Sequence, residues 1–353
     1  MTGGRAVSSD KRVPVAILGA TGAVGQRLVS LLDGHPWFRV AALAASDRSA
    51  GRRYREAARW FLPEPMPEWA RDMEVVPCRP ELDARLAFSG LDASVAGPIE
   101  EEFAGAGCAV VSNSSNHRMD PDVPLLIPEV NADHLELVEA QKRRWRGGGF
   151  IVTNPNCSTV GLALSVAPLH RAFGIERLVV STLQAISGAG YPGVPSVDIL
   201  DNIIPFIGGE EEKMESETLK ILGPAGRPAS FGISAHCHRV QVLDGHTLAV
   251  SVETAGRTTP GEATRAMREF GSSLASLGLP SLPERPIEVR DEPDRPQPKL
   301  DRMAGRGMTV SVGRVRSCPV FGLKYVALVH NTIRGAAGAA ILNAEVLKAK
   351  GYL

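Results

Sequence analysis

The sequence predicts an α/β fold: an N-terminal doubly wound parallel sheet of the Rossmann type, followed by a second, α+β domain. Three observations carry this. A glycine turn, Gly19-Ala-Thr-Gly22-Ala-Val-Gly25, stands between the apolar run Val13 to Leu18 and the helix-like stretch Gln26 to Leu32. A second apolar strand, Arg39 to Ala45, closes a βαβ unit of about the 30 residues such units need. And 353 residues exceed what one hydrophobic core usually organises.

Taken in order, Met1 to Arg12 form a polar leader without the apolar centre of a signal peptide. After the βαβ unit, the runs Met73 to Val76, Leu91 to Ala96 and Cys108 to Ser112 read as further strands of the same sheet. Residues 130 to 146 read as a helix with Val130, His134, Leu137 and Val138 on one face, and Gly147 to Gly149 mark the transition to the second domain. Beyond the glycines, Phe150 to Thr153, Leu178 to Ala185, Thr247 to Thr254, Met308 to Arg314 and Tyr325 to His330 read as strands. Their alternating polar residues favour an antiparallel or mixed sheet open on one side. Pro280 to Pro298 lacks apolar periodicity and reads as an extended surface connection, and Gly335 to Lys350 as a helix that packs back on the first domain. The boundaries that follow are 1–153, 154–332 and 333–353.

Composition excludes several functions. Hydrophobic residues make up 44% of the chain, too many for a disordered protein. Lys plus Arg and Asp plus Glu each total 39, so no global field attracts nucleic acid or an anionic membrane. No apolar stretch approaches the roughly 20 residues of a membrane span. The five cysteines, Cys78, Cys108, Cys157, Cys237 and Cys318, are scattered and free of C-x-x-C spacing, which points to a reducing cytoplasm and no metal site. His236 and His238 flank Cys237 but have no distant ligand set to complete one.

The glycine turn is the candidate cofactor site. Where a strand turns into a helix, Gly19, Gly22 and Gly25 let backbone N–H groups approach a pyrophosphate, with Thr21, Ala23 and Val24 in the same turn. At the end of the second strand stands Ser46-Asp47-Arg48-Ser49. Arg48 between two hydroxyls suits the 2′-phosphate of NADP, Asp47 turned inward would favour NAD, and Arg48 as a mere solvated charge is the plain alternative.

Among the cysteines, only Cys157 stands in a segment shaped for catalysis, Thr153-Asn-Pro-Asn156-Cys157-Ser-Thr-Val-Gly161, ahead of a helix-like run. At a helix start, free N–H groups and the dipole favour the thiolate. Its acid/base partner should be a histidine, and His246, after Asp244-Gly245, is placed to project from a turn. Arg239, seven residues earlier, can grip a carboxylate, and one hairpin-like element would bring both into one cleft.

As a set, these motifs resemble the aspartate-semialdehyde dehydrogenases, especially their archaeal and fungal branch. The resemblance extends through Ser112-Asn-Ser-Ser-Asn-His-Arg-Met119, Asn154-Pro-Asn-Cys-Ser158, Gln184-Ala-Ile-Ser-Gly-Ala-Gly190, Gly209-Glu-Glu-Glu-Lys-Met-Glu215 and His330-Asn-Thr-Ile-Arg-Gly335. It implies that the second domain is catalytic and forms the dimer. It also implies Cys157 as nucleophile, His246 as general acid/base and Gln184 as the group orienting the reacting carbonyl. Arg239 would take the substrate carboxylate and Glu210 its ammonium, Arg118 and Lys213 would bind phosphate, and Asn156 lies in the same pocket. Ser187, Gly188 and Asn331 would line the nicotinamide of NADP(H).

The implied reaction is reduction of 4-phospho-L-aspartate to the semialdehyde with release of inorganic phosphate, in aspartate-family amino-acid biosynthesis, by a homodimer or homotetramer. An acyl-CoA reductase of the malonyl-CoA type on the same scaffold is the nearest rival, and it needs no ammonium site at Glu210. A non-catalytic dinucleotide-binding sensor is the rival of another class, and it has no use for Cys157 and His246 together.

Overall fold

Six short, almost wholly apolar segments in the first half can be buried only by helices on both faces, and they form one parallel sheet. The computed structural model describes residues 11–145, 147–271 and 273–353. The strands are β1 (Val13–Leu18), β2 (Phe38–Ala45), β3 (Val75–Pro77), β4 (Leu86–Ser89), β5 (Ala109–Ser112) and β6 (Phe150–Thr153), in the order β3-β2-β1-β4-β5-β6. Val15, Ile17, Leu43, Leu86, Phe88, Val111 and Val152 are fully buried in it.

Three expectations need correction here. Leu91 to Ala96 is not a strand: β4 ends at Ser89, and Asp92 accepts from the N–H of Ser94 to cap the helix Ala93–Gly105. Residues 130 to 146 do not form one helix. Asn131 bonds the backbone of Leu125 and Ile127 instead, breaking the stretch into Pro128–Asn131, a 3-10 turn Ala132–Leu137 and Val138–Arg144. Phe150–Thr153 joins the first sheet, parallel to β5, although it follows the glycines; being buried throughout, it lacks the alternation of the second sheet.

The second sheet comprises β7 (Ile175–Gln184), β8 (Gly232–Arg239), β9 (His246–Thr254), β10 (Ile287–Arg290), β11 (Val310–Cys318) and β12 (Gly322–Val329), in the mixed order β10-β11-β12-β9-β7-β8. The helices Cys157–Phe173, Glu210–Leu222 and Pro260–Arg268 cover one face. A Cβ on Gly161 would lie 2.8 Å from Val329, so the first of these helices lies directly on the strands. On the other face Val179, Ser181, Leu183, Ser234, His236, Ala249 and Ser251 stay exposed or half-buried, as the alternation predicts.

The proline-rich connection holds a strand that its composition conceals. Ile287–Arg290 pairs parallel with β11, and buried Asp301 gathers Arg290, Arg295 and the N–H of Gln297 beside it. At the C-terminus a π-turn, Ile333–Ala337, leads into the helix Gly338–Ala349. Ile341, Leu342 and Leu347 join the first core, and Arg334 holds Glu129 through two bonds of 2.9 and 2.8 Å, both side chains buried.

Candidate active site

Asn154-Pro-Asn forces the chain from β6 into a new helix, and Asn156 caps it. The Asn156 Oδ1 accepts from the N–H groups of Ser158 (2.9 Å) and Thr159 (3.3 Å), so Cys157 occupies the first helical position. The helix start alone does not ionise the thiol. Burial and the charge of Glu210 push Cys157 up to about 12, outweighing Arg239, Arg118 and the Ser158 N–H, which pull it down. On balance the thiol form is favoured while no substrate is bound, with the helix-start N–H pulling the other way.

His246 meets it. The Cys157 Sγ lies 3.2 Å from His246 Nε2, and the Ala185 N–H donates to Nδ1 at 3.0 Å. With Nδ1 occupied as an acceptor, the ring proton sits on Nε2, facing the sulfur; flipping the ring would put carbon atoms in both contacts. The imidazole is wholly buried, and burial together with Arg239 and His330 lowers it to about 3, so it is neutral. Arg239 and His246 do not share a hairpin. Arg239 ends β8, His246 opens β9, and β7 runs between these strands. They converge because all three meet at one end of the sheet: a Cβ on Gly188, just past β7, would lie 2.8 Å from Arg239 Nη1 and 3.0 Å from the His246 ring.

Charged side chains ring this pair. Arg239 Nη1 donates to the Ala185 carbonyl at 2.6 Å. Both Glu210 oxygens accept from Asn156 Nδ2, at 2.9 and 2.8 Å, and Glu210 also accepts from Lys213 Nζ at 3.3 Å and Gln184 Nε2 at 3.4 Å. Glu210 thus faces the cleft, while Glu211 accepts from the Cys237 N–H. Gln184 also donates to Thr182. Arg118 arrives from the loop after β5, donating to Glu217 (2.9 Å) and to the Asn113 carbonyl (2.7 Å). Three cations thus stand against two carboxylates, a balance suited to an anionic ligand.

The glycines of the first turn have different reasons. A Cβ on Gly19 would lie 2.8 Å from the Gly90 carbonyl, and one on Gly25 would lie 2.2 Å from the Gly19 carbonyl, so both are needed for packing. On Gly22 a Cβ would meet only an ordinary contact of 3.4 Å. Its missing side chain leaves open the N-terminus of the helix Ala23–Leu31, which no side chain caps, and that fits a pyrophosphate. Ser46, Asp47 and Arg48 lie exposed just beyond β2, in a turn closed by the Ser49 N–H on the Ser46 carbonyl. A cavity of about 490 Å³ runs from Ala23 to Ser187, Gly190 and Thr332, walled by Phe61 and Tyr191. Asn331 serves its frame, accepting from the Gly245 N–H (2.9 Å) and donating to Ser187 Oγ (2.8 Å), which anchors the turn that presents His246.

Sequence reading missed Ala185, whose backbone sets the histidine proton, and Glu217 and Lys220, although seven- and ten-residue spacings put both on the helix face of Glu210. It also missed Gly335. A Cβ there would lie 2.7 Å from the Cys157 Cβ and 3.0 Å from its Cα. Gly335→Ala should push the nucleophile aside, lowering kcat by about tenfold or more while overpacking costs about 1–3 kcal/mol of stability. Unchanged kcat with an unchanged melting temperature would refute that contact.

Comparison with known proteins agrees along the chain. The family model described as semialdehyde dehydrogenase, NAD binding domain, matches residues 14–138, and that described as semialdehyde dehydrogenase, dimerisation domain, matches residues 166–334. The aspartate-semialdehyde dehydrogenase of Methanothermobacter thermautotrophicus is 54% identical over 343 residues, 95% of this chain and 99% of that protein. That of Cryptococcus neoformans is 48% identical over 364 residues, 98% of this chain and all of its own. The crystal structure of the Candida albicans aspartate-semialdehyde dehydrogenase with NADP superposes with a TM-score of 0.90 at 46% identity, covering 97% of this chain and 100% of that one.

Proposed function

The chain belongs to the aspartate-semialdehyde dehydrogenase family, and from that premise we propose how its residues divide the work of reducing 4-phospho-L-aspartate to L-aspartate 4-semialdehyde and inorganic phosphate. The observation that carries the reading is the 3.2 Å contact between Cys157 and His246 at a helix start ringed by Arg118, Lys213 and Arg239. Cys157 is the nucleophile: its sulfur sheds its proton and bonds the acyl carbon as the carbon–oxygen bond to phosphate breaks, and phosphate leaves with the electron pair and takes up that proton.

Arg118 and Lys213 hold the phosphate, Arg239 the α-carboxylate, and Glu210 the ammonium, with Asn156 fixing Glu210 and Gln184 orienting the carbonyl. Gly19, Thr21, Gly22, Ala23 and Val24 at one end and Ser187 and Gly188 at the other would hold NADPH, which would supply the hydride for the thioester. Ser46, Arg48 and Ser49 bind its 2′-phosphate, and Asn331 acts through the Gly245–His246 turn. When the reduced adduct collapses, electrons return to sulfur, and the His246 N–H facing Sγ steadies that charge. His246 thus enters as a donor.

The partition at residues 153 and 332 separates cofactor binding, catalysis and the closing helix. Leu183, Val197, Leu200, Ile203 and Phe206 are exposed apolar residues beside the open face of the second sheet, and they supply the contact surface of a homodimer or homotetramer. Among the described residues no helix is long and apolar enough to cross a membrane. A cytoplasmic site of action belongs to this reading, and the five free cysteines are consistent with a reducing compartment. The deciding assay is phosphate-dependent NADP reduction by aspartate semialdehyde, run beside malonyl-CoA-dependent NADPH oxidation. Turnover is expected in the first alone; activity in the second alone reassigns the substrate.

A further inference from the structure

Glu217 is 2% exposed, seven residues beyond Glu210 on the helix Glu210–Leu222. Each of its oxygens has a separate task. The Arg118 Nη1 donates to Oε1 at 2.9 Å, and the backbone N–H of Asn156 donates to Oε2 at 2.6 Å. Burial pushes this carboxyl up, while Arg118 and the Asn156 N–H favour its charged form. A buried carboxylate carries a desolvation cost that only well-made partners offset. These partners are the guanidinium assigned to phosphate and the residue that caps the nucleophile's helix.

Lys220, three residues on, grips the same loop from behind, donating to the carbonyls of Arg118, Asp120 and Val123 at 2.7, 2.8 and 2.9 Å. One helix face thereby joins the loop after β5, which leaves the first sheet, to the turn between β6 and Cys157. The same carboxylate therefore links Arg118 to the backbone N–H of Asn156, the residue immediately before the nucleophile.

We propose that Glu217 is a positioning residue for the reaction, setting the anion-binding guanidinium of Arg118 at its working distance from the Cys157 sulfur. The proposal rests on the reading of Arg118 as a phosphate ligand. Glu217 itself touches no reacting atom. Its effect should therefore fall on the phosphate step and spare the aldehyde and NADP.

Steady-state kinetics in the oxidative direction, with inorganic phosphate, aspartate semialdehyde and NADP varied in turn, tests both layers. Glu217→Gln keeps an oxygen for the Asn156 N–H but loses the charged partner of Arg118. The expected result is a phosphate KM raised about tenfold to a hundredfold, with the other two KM values within about twofold. Adding Arg118→Ala should then change the phosphate KM no further than Arg118→Ala does alone, since the two act as one unit. If Glu217→Gln does not fold, Glu217→Asp, charged but too short to span both partners, is expected to show the same selective rise.

A phosphate KM left unchanged by the Glu217 variant, three KM values rising together, or additive effects would each overturn the proposal. Arg118→Ala separates the layers. If it alone leaves the phosphate KM unmoved, the phosphate reading of Arg118 is what fails, and the role of Glu217 falls with it.

Discussion

Cys157→Ala is expected to remove turnover by about ten-thousandfold or more while leaving NADP affinity within about twofold. The sulfur is the point of covalent attachment, whereas the glycine turn that holds the pyrophosphate lies after β1, on another strand of the sheet. Cys237 is wholly buried against the Met214 sulfur, its thiol pushed up to about 11 by burial. Mass spectrometry of the trapped acyl-enzyme should place the adduct on the peptide containing Cys157; an adduct on Cys237, or substantial activity in the variant, would sink the assignment. The pH dependence follows from the same site. With Cys157 raised to about 12 and His246 lowered to about 3, the free protein holds thiol and neutral imidazole across the neutral range. Alkylation by iodoacetamide should therefore quicken steadily from pH 7 to pH 10 as thiolate accumulates. A rate already flat from pH 6 would reveal a preformed thiolate–imidazolium pair and contradict the geometry.

What the sequence made legible depended on how local the cause was. β1, its glycine turn and the following helix were readable because strand, turn and helix are adjacent and each is set by its own residues. The same holds for Asn156-Cys157, where a proline, a capping side chain and a helix stand together. Position in space was harder. Phe150–Thr153 was read into the second sheet because it follows the Gly147–Gly149 break, yet it completes the first, since a fully buried strand fits only beside β5. The Arg239–His246 pairing was right in its outcome and wrong in its route, because β7 comes from 55 residues before the end of β8 and separates the two strands. Ala185 could not have been found at all by side-chain chemistry: it acts through its peptide N–H, which every residue but proline carries.

Arg239→Lys and His246→Asn should split binding from chemistry within one cleft. Arg239 already spends one terminal nitrogen on the Ala185 carbonyl, and a planar guanidinium can do this while offering a second edge to a carboxylate. An ammonium cannot hold both in the same geometry. Losing one charge-assisted contact costs about 1.5–3 kcal/mol, so the KM for aspartate semialdehyde should rise about tenfold to a hundredfold, with NADP affinity barely moved. His246 acts differently. Ala185 fixes its proton on Nε2, toward the sulfur, where it matters most as charge moves between carbonyl oxygen and Sγ. Removing a positioned proton donor lowers rate by about a hundredfold to ten-thousandfold. His246→Asn should therefore lose mainly kcat, its shorter amide falling short of Sγ, whereas His246→Gln, which carries an N–H farther along the same direction, should recover part of the loss. An Arg239→Lys enzyme with unchanged KM would remove the carboxylate assignment and reopen the acyl-CoA alternative. A His246→Gln enzyme no better than His246→Asn would show that the ring must exchange the proton rather than only present it.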